Sequence, residues 1–223
     1  MVSLLDIIGP VMVGPSSSHT AGACRLGLLG RGLVSGTPQS ALLELHGSFA
    51  RTGEGHGTDK ALVAGLLGFR PDDERIRTAL QIAEQEGLAY RFEKTTLSDS
   101  AHPNTVRMTL ERGDIKATLM GSSLGAGRVM VKEIDGYPVE VTGNFHTIIL
   151  VAEDRKGSIA RITGILAEHD INIATLRLTR KHRGGDAFMV IECDDPPGEG
   201  VRDELRSLDW VRWARRLDRV SGG

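Results

Sequence analysis

The alternation of apolar and polar residues predicts an N-terminal part that mixes helices with a sheet. Apolar residues recur at helical spacing in three segments, and period-two alternation predicts strands in four others. The helical segments are 21–33, 60–68 and 71–87, and the strand segments are 40–48, 90–96, 106–120 and 128–141. Because several of the strands follow one another as hairpins, we expect an α+β fold with helices packed on a mostly antiparallel sheet.

The pattern changes near Gly143, where a second and more regular series of segments begins. These segments are a strand at 147–152, a helix at 158–169, strands at 170–180 and 187–193, a helix at 201–208 and a strand at 210–217. The order βαββαβ over about 70 residues is typical of the ferredoxin-like split unit. We therefore predict two domains, at residues 1–143 and 146–220.

Composition and charge exclude several classes of protein. A chain of 223 residues can form two modest cores, and a net charge of −2 gives no reason to expect nucleic acid or an anionic membrane as a partner. No apolar run approaches the roughly 20 residues that span a bilayer, and no basic segment precedes the first apolar residues. We expect a cytoplasmic protein. Its two cysteines, Cys24 and Cys193, lack metal-ligand spacing, so we expect no metal site in this chain.

The first candidate for chemistry is the segment GPSSSHT at residues 14–20. Gly-Pro predicts a turn, and the hydroxyls and imidazole that follow lead directly into a predicted helix. Helix N-termini attract anions, and Ser or Thr residues cap them, so an ordinary serine-rich cap is one interpretation. A histidine within the cap favours a carboxylate site with a base. The candidate residues are the hydroxyls of Ser16, Ser17, Ser18 and Thr20, and the imidazole of His19.

A second polar segment, residues 47–59, carries four glycines and delivers His56 to the start of another predicted helix. A glycine-rich turn between a strand and a helix would explain the glycines alone. The glycines do not have the spacing of a dinucleotide-binding loop, which we exclude. His102 lies beside a proline at the start of a strand, where hydrogen bonding within a turn and a role in a site both remain open. Residues 122–127 are small and predict a loop.

Four segments together resemble the bacterial iron–sulfur-dependent L-serine dehydratases, also called L-serine ammonia-lyases. They are GPSSSHT at 14–20, HGSFARTGEGHGTDKA at 46–61, HPNTV at 102–106 and SSLGAG at 122–127. Their order and the C-terminal module resemble the β subunit of the two-subunit form. The resemblance implies an N-terminal α/β sandwich-like domain of the allosteric substrate-binding type.

The resemblance also implies an activity, which is the α,β-elimination of L-serine to pyruvate and ammonia in amino-acid metabolism and gluconeogenesis. A [4Fe–4S] cluster, ligated by the partner α subunit and not by this chain, would bind the serine hydroxyl as a Lewis acid. His19 would be the base or orient a hydroxyl, with His56 as a second imidazole. Ser16, Ser17, Ser18 and Thr20 would anchor the substrate carboxylate. This chain alone is expected to be inactive.

The segments DRKGS at 154–158 and INI at 171–173 resemble an ACT domain, an amino-acid-sensing module. The resemblance implies self-pairing of this module and an effector site at Asp154, Arg155, Gly157 and Asn172. The loop departs from the serine-binding version in phosphoglycerate dehydrogenases, because Ala152 and Asp154 replace a histidine and an asparagine. A pairing surface without a ligand therefore remains an alternative. A further alternative for the whole chain is a non-catalytic, serine-sensing regulatory subunit.

Overall fold

A computed structural model describes residues 11–98, 100–180 and 182–220, except for the side chains of Glu54 and Glu199. The chain divides into two units after Thr142, and each has a sheet and a core of its own.

The N-terminal unit contains a six-stranded sheet in the order β2-β1-β3-β4-β5-β6. The pairing of β1 with β2 is parallel, and every other pairing is antiparallel. Its elements are a π-helical turn Ser17–Gly22, α1 Ala23–Leu33, β1 Ser40–His46, α2 Gly47–Thr52, a 3₁₀ turn Glu54–His56, α3 Thr58–Leu67, a 3₁₀ turn Glu74–Thr78, α4 Ala79–Gln85, β2 Ala89–Thr95, β3 Thr105–Arg112, β4 Ile115–Gly125, β5 Arg128–Ile134 and β6 Tyr137–Val141.

The core of this unit lies where α1 and α3 pack together beside the sheet. Alternate residues of the central strands are fully buried, including Leu43 and Met108, whereas their neighbours in sequence are partly exposed. The two helices approach closely because glycines face each other, and a Cβ on Gly65 would collide with the carbonyl oxygen of Cys24. Likewise, a Cβ on Gly27 would collide with the carbonyl oxygen of Leu62.

The structure corrects the sequence prediction at three places in this unit. The segment expected to be a polar loop after Gly47 forms the short helix α2 and a 3₁₀ turn. The small residues from Ser122 onward continue strand β4 as far as Gly125 rather than forming a loop, because Ser122 and Ser123 are buried and paired with β5. Helical structure at the N-terminal site begins at Ser17, before the predicted start.

The C-terminal unit has the predicted order βαββαβ. Its elements are β7 His146–Glu153, α5 Ser158–Glu168, β8 Ile173–Arg180, β9 Asp186–Cys193, α6 Glu199–Ser207 and β10 Val211–Leu217. The four strands are antiparallel in the order β10-β7-β9-β8. Apolar residues of β7 and β9, such as Leu150 and Met189, form one core with Ile165 of α5 and Leu205 of α6.

The helices in the described part of the chain are too short or too polar to cross a membrane.

Candidate functional site

His19 lies in the π-helical turn that leads into α1, half-buried, with a hydroxyl beside each ring nitrogen. Ser16 caps the turn, since its Oγ accepts a hydrogen bond from the backbone N–H of His19 at 3.2 Å. The same Oγ lies 3.4 Å from His19 Nδ1. The local fold therefore fixes one edge of the imidazole against Ser16. This residue lies in the segment 14–20, which we call the hydroxyl turn.

The other edge of the imidazole contacts helix α2. His19 Nε2 lies 3.2 Å from Ser48 Oγ and 3.3 Å from Thr52 Oγ1, and the two oxygens are 3.2 Å apart. Thr52 is positioned in turn, because its hydroxyl donates to the Ser48 carbonyl at 3.0 Å. Phe49, from the same helix, is buried and packs edge-on against the ring at a centroid distance of 5.4 Å.

The turn before β3 holds α2 in this place. The Pro103 carbonyl accepts hydrogen bonds from the backbone N–H groups of Ser48 at 2.7 Å and Phe49 at 3.4 Å. Gly47 has a φ of +59°, and a Cβ there would lie 2.5 Å from the same carbonyl oxygen, so this position requires glycine. His102 is exposed, and its Nδ1 accepts from the backbone N–H of Asn104 at 3.1 Å, so its ring takes part in the turn.

His56 supplies a second imidazole beside the first, with 5.0 Å between the ring centroids. His56 Nδ1 lies 2.9 Å from the Thr52 carbonyl oxygen, which can only accept a hydrogen bond. Neutral His56 therefore carries its proton on Nδ1 and presents Nε2 as the basic nitrogen. The buried Thr20 contacts the 3₁₀ turn that contains His56, because the Thr20 hydroxyl donates to the His56 carbonyl at 3.4 Å.

Burial lowers the pKa of His19 below its ordinary value of 6.5, and the charge of the nearby His56 lowers it further. A hydrogen bond with the backbone of Ser48 acts in the opposite direction and is the smallest of the three effects. The His19 imidazole is therefore neutral at pH 7, which is the protonation state that a general base requires.

The hydroxyls predicted to bind a carboxylate do not share one environment. Ser16 caps the turn and Thr20 bonds to the chain at His56, so both already have internal partners. The contacts described for the turn do not occupy the hydroxyls of Ser17 and Ser18, which are half-buried. A Cβ on Gly125 would lie 3.8 Å from Ser18 Oγ, so the end of β4 borders the site.

All four sequence segments that carried the resemblance thus meet around one turn. Residues 14–20 form it, α2 and the 3₁₀ turn cover it, residues 102–104 hold α2, and β4 passes beneath. Ser123 of β4 is fully buried against Gly22, where a Cβ would collide with the serine hydroxyl. Sequence reasoning missed Ser48 and Thr52. Their spacing of four residues was the available signal, but it has meaning only if the segment is helical.

Neither cysteine has the properties of a cluster ligand. Burial raises the pKa of the Cys24 thiol to about 12, and that thiol donates to the Phe69 carbonyl at 3.1 Å. Burial likewise raises the pKa of Cys193, which lies in the other unit, to about 11. Iron–sulfur clusters bind thiolates. The residues of this chain therefore do not fit a cluster, and the described residues contain no group of three or more potential metal ligands.

In the C-terminal unit, the candidate effector residue Asp154 is already engaged within its own chain. Its Oδ2 accepts hydrogen bonds from the backbone N–H of Gly184 at 3.0 Å and from the Arg180 guanidinium at 2.7 Å. The Gly184 hydrogen bond and then Arg180 hold the pKa of Asp154 below its ordinary value. Arg155 lies over the Trp210 ring, and Gly157, with a φ of +84°, precedes α5.

Asn172, the fourth candidate effector residue, lies at the opposite end of the sheet. The register pairs Glu153 with Asp186 at one end, and it pairs His146 and Ile173 with Cys193 at the other. Asn172 precedes Ile173 and donates to Asp194 Oδ2 at 2.6 Å. A single copy therefore does not bring Asn172 together with the other three candidates.

Two family models match this chain. Residues 3–87 match the family described as serine dehydratase beta chain, and residues 146–209 match the ACT domain. The probable L-serine dehydratase beta chain of Bacillus subtilis is 42% identical over 208 residues, which cover 92% of this chain and 93% of that one. The L-serine dehydratase beta chain of Peptoniphilus asaccharolyticus is 38% identical over 218 residues, which cover 97% and 98%.

A more distant relative is the D-3-phosphoglycerate dehydrogenase of Bacillus subtilis, which is 29% identical over 183 residues, covering 81% of this chain and 34% of that enzyme. The fold and these matches define a mixed α+β protein that ends in an ACT domain. The identity over almost the full length of both beta chains is decisive. The chain belongs to the family of L-serine dehydratase beta chains.

Proposed function

We propose that this chain is the β subunit of an enzyme that converts L-serine to pyruvate and ammonia. Elimination of water from L-serine gives 2-aminoacrylate, which tautomerises to an imine, and water then hydrolyses the imine to pyruvate and ammonia. The full-length similarity to beta chains supports this role over the alternative of a serine-sensing subunit without a catalytic contact. The names of both relatives imply an α subunit as partner. A cytoplasmic location remains part of the proposal.

One observation carries the catalytic proposal, which is the position of His19 in the hydroxyl turn. The elimination requires a base for the weakly acidic Cα proton, and His19 is neutral at pH 7 because burial and His56 lower its pKa. A protein that only sensed serine would need hydrogen-bond donors for the carboxylate, but it would not need a titratable group between them.

In this proposal the substrate carboxylate binds at the start of the helical turn. Ser17 and Ser18 supply hydroxyl donors there, and the first N–H groups of a helix favour an anion. Ser16 and Thr20 contribute through the shape of the turn, since their hydroxyls are committed to the backbone of His19 and His56. His56 lies next to His19 as a second proton carrier.

The [4Fe–4S] cluster is assigned to the α subunit, because the two cysteines of this chain are buried and hold their protons. The active site of the proposed enzyme would then lie at the interface between the subunits. This chain would contribute the base and the carboxylate anchor, and the partner would contribute the cluster.

We propose further that the ACT domain pairs with a second copy along the edge strand β8. Antiparallel pairing of β8 with itself would place Asn172 of one copy near the Asp154 end of the other. The effector residues Asp154, Arg155, Gly157 and Asn172 would then meet across the pair. Because the Asp154 carboxylate is occupied by Arg180 and Gly184, an effector would rely chiefly on the backbone of this loop.

The decisive experiment is an anaerobic assay of L-serine deamination by this chain alone and after co-expression with its α subunit. Activity and cluster absorbance in the co-expressed sample only are the expected result. The His19→Ala variant of the complex should then lose about 100-fold or more in kcat, the usual contribution of a general base, while assembly stays intact.

His182→Ala is a suitable control, because His182 is exposed in the C-terminal unit. It should retain wild-type turnover. An assembled complex with His19→Ala that turns over serine at the wild-type rate would refute the base assignment. A wild-type complex with no dehydratase activity, together with serine binding by this chain alone, would favour the sensor.

A further inference from the structure

We infer that Ser48 and Thr52 are positioning residues that fix the tautomer of His19, so that its basic nitrogen is Nδ1, on the side of the hydroxyl turn. The inference rests on the proposed role of His19 as a base, but the hydrogen-bond geometry that carries it does not. The inference assigns a function to α2, a helix that the sequence pattern did not predict.

The number of protons available determines the assignment. A threonine hydroxyl has a single proton, and Thr52 donates it to the Ser48 carbonyl at 3.0 Å. Thr52 Oγ1 can therefore only accept from its other two neighbours, which are His19 Nε2 at 3.3 Å and Ser48 Oγ at 3.2 Å. The contact with the imidazole is a hydrogen bond only if the proton lies on His19 Nε2.

One arrangement satisfies every contact in this group. Nε2–H donates to Ser48 Oγ and Thr52 Oγ1, the Ser48 hydroxyl donates to Thr52 Oγ1, and the Thr52 hydroxyl donates to the Ser48 carbonyl. His19 Nδ1 then carries the lone pair, and the Ser16 hydroxyl lies 3.4 Å from it. Ser16 Oγ remains free to accept from the His19 backbone N–H.

The opposite tautomer leaves a contact unsatisfied. With the proton on Nδ1, the lone pair of Nε2 would face the Thr52 oxygen at 3.3 Å with no proton between them. Two acceptors at this distance repel each other and cost free energy. Thr52 also orders the neighbouring imidazole, because its carbonyl accepts from His56 Nδ1–H. One residue thus determines which nitrogen is basic in both rings.

With this assignment, the basic nitrogen of His19 lies on the same side of the ring as the proposed position of the substrate carboxylate. Nδ1 faces Ser16 at the start of the turn, where the carboxylate is proposed to bind, whereas Nε2 faces α2. A substrate held by the turn would therefore meet the basic edge of the ring. His56 is the charged group that acts on the His19 ring, and no acidic side chain contributes to its pKa among the described residues.

The first test is ¹⁵N NMR of the full chain labelled at histidine, at a pH well above the pKa of His19. The His19 signals are assigned by their loss in His19→Gln. We expect a protonated Nε2 and an unprotonated Nδ1 in the wild type. In Thr52→Val the ring should lose its single tautomer and give averaged shifts, while Thr52→Ser should restore the wild-type pattern. A wild-type ring with its proton on Nδ1 would overturn the inference.

The second test is the kinetics of the complex co-expressed with the α subunit. Thr52→Val should lower kcat on the order of tenfold, as expected for one lost hydrogen bond, with a smaller effect on KM, and Thr52→Ser should remain within about twofold of the wild type. Thr163→Val is a matched control, since Thr163 donates to the Ile159 carbonyl four residues earlier, also at 3.0 Å, in α5. Equal kcat in the Thr52→Val and Thr163→Val complexes would also overturn the inference.

These results separate the inference from the proposed function. An active wild-type complex with the His19 proton on Nδ1 would refute only the tautomer assignment. A complex without dehydratase activity whose β chain nevertheless shows the proton on Nε2 would refute the proposed function and leave the assignment of the tautomer standing.

Discussion

The imidazole rings of His19 and His56 lie 5.0 Å apart, centroid to centroid, and are inclined by 36° to each other. The rings come from two separate elements, which are joined by the hydrogen bond from Thr20 to the carbonyl of His56, 36 residues later. A positive charge on His56 at this distance repels a proton on His19 and lowers the pKa of His19.

Replacement of His56 by glutamine should therefore change the pH dependence of the proposed enzyme. His56 lowers the pKa of His19, and a base is active when it is unprotonated. Removing the His56 charge raises the pKa of His19, so the acidic limb of the kcat/KM profile should move to higher pH. The profile is measured on the assembled complex, with His182→Ala as the control. A limb that moves to lower pH would contradict the coupling.

Loss of the Ser17 or Ser18 hydroxyl should weaken substrate binding more than turnover. Ser17→Ala and Ser18→Ala each remove a proposed donor to the carboxylate, and hydrogen bonds to charged groups contribute about 1.5–3 kcal/mol. We expect KM for L-serine to rise by roughly tenfold or more in at least one of the two variants, with a smaller change in kcat. Ser98→Ala is the control, because Ser98 is exposed and its hydroxyl lies 3.0 Å from that of Ser100, which is also exposed. Unchanged KM in both turn variants would place the carboxylate elsewhere.

Substitution at the crossing of α1 and α3 should reduce stability. In Gly65→Ala the added methyl group would meet the Cys24 carbonyl and lie 2.7 Å from the Leu28 nitrogen, and overpacking of this kind costs about 1–3 kcal/mol. In Gly164→Ala, in the middle of α5, the methyl group would meet no atom within 4 Å, and the helix should gain about 0.5–1 kcal/mol. The free energies of unfolding of both variants are measured in urea. A Gly65→Ala variant as stable as the wild type would contradict the prediction.

Asp154→Asn should release the turn between β8 and β9. The substitution removes the charge that attracts Arg180 and weakens the acceptor for the Gly184 N–H, so the Gly184 amide should exchange with solvent faster. The pKa of Asp154 is lower in the folded chain than in the unfolded chain, so this stabilisation is present above the ordinary aspartate range and is lost as the pH falls through the folded pKa. Asp209→Asn, at a carboxylate that is 89% exposed, should leave the Gly184 exchange rate unchanged.

Periodicity predicted most of the strands and helices because burial on one face leaves a regular pattern, as in β1 and β3. It failed for α2, which is six residues long and begins with glycine. Such a helix depends on tertiary contacts, here the Pro103 carbonyl and the burial of Phe49, and a local pattern does not record them. Small residues were interpreted as a loop in β4, although their size is what lets Ser123 pack against Gly22.

The same holds for the site. Site residues that lie close together in sequence could be predicted, whereas contacts between distant segments could not. The hydroxyl turn and His19 are contiguous in sequence, and His56 is prominent at a helix start, so both could be proposed without coordinates. The partners of His19 Nε2 could not, because Ser48 and Thr52 share a face only once α2 is known. The separation of Asp154 from Asn172 similarly needed the strand order, since proximity to a loop in sequence does not fix the end of the sheet at which a residue lies.

The close approach of α1 and α3 also limits which substitutions the N-terminal unit can tolerate. At both glycines the obstructing atom is a main-chain oxygen, that of Cys24 or Leu62, and a main-chain oxygen is present whatever residue occupies its position. A larger residue at Gly27 or Gly65 therefore cannot be offset by a smaller side chain at the obstructing position. Suppressor mutations for a defect at this crossing should be those that move a whole helix, and a search confined to neighbouring side chains should return none.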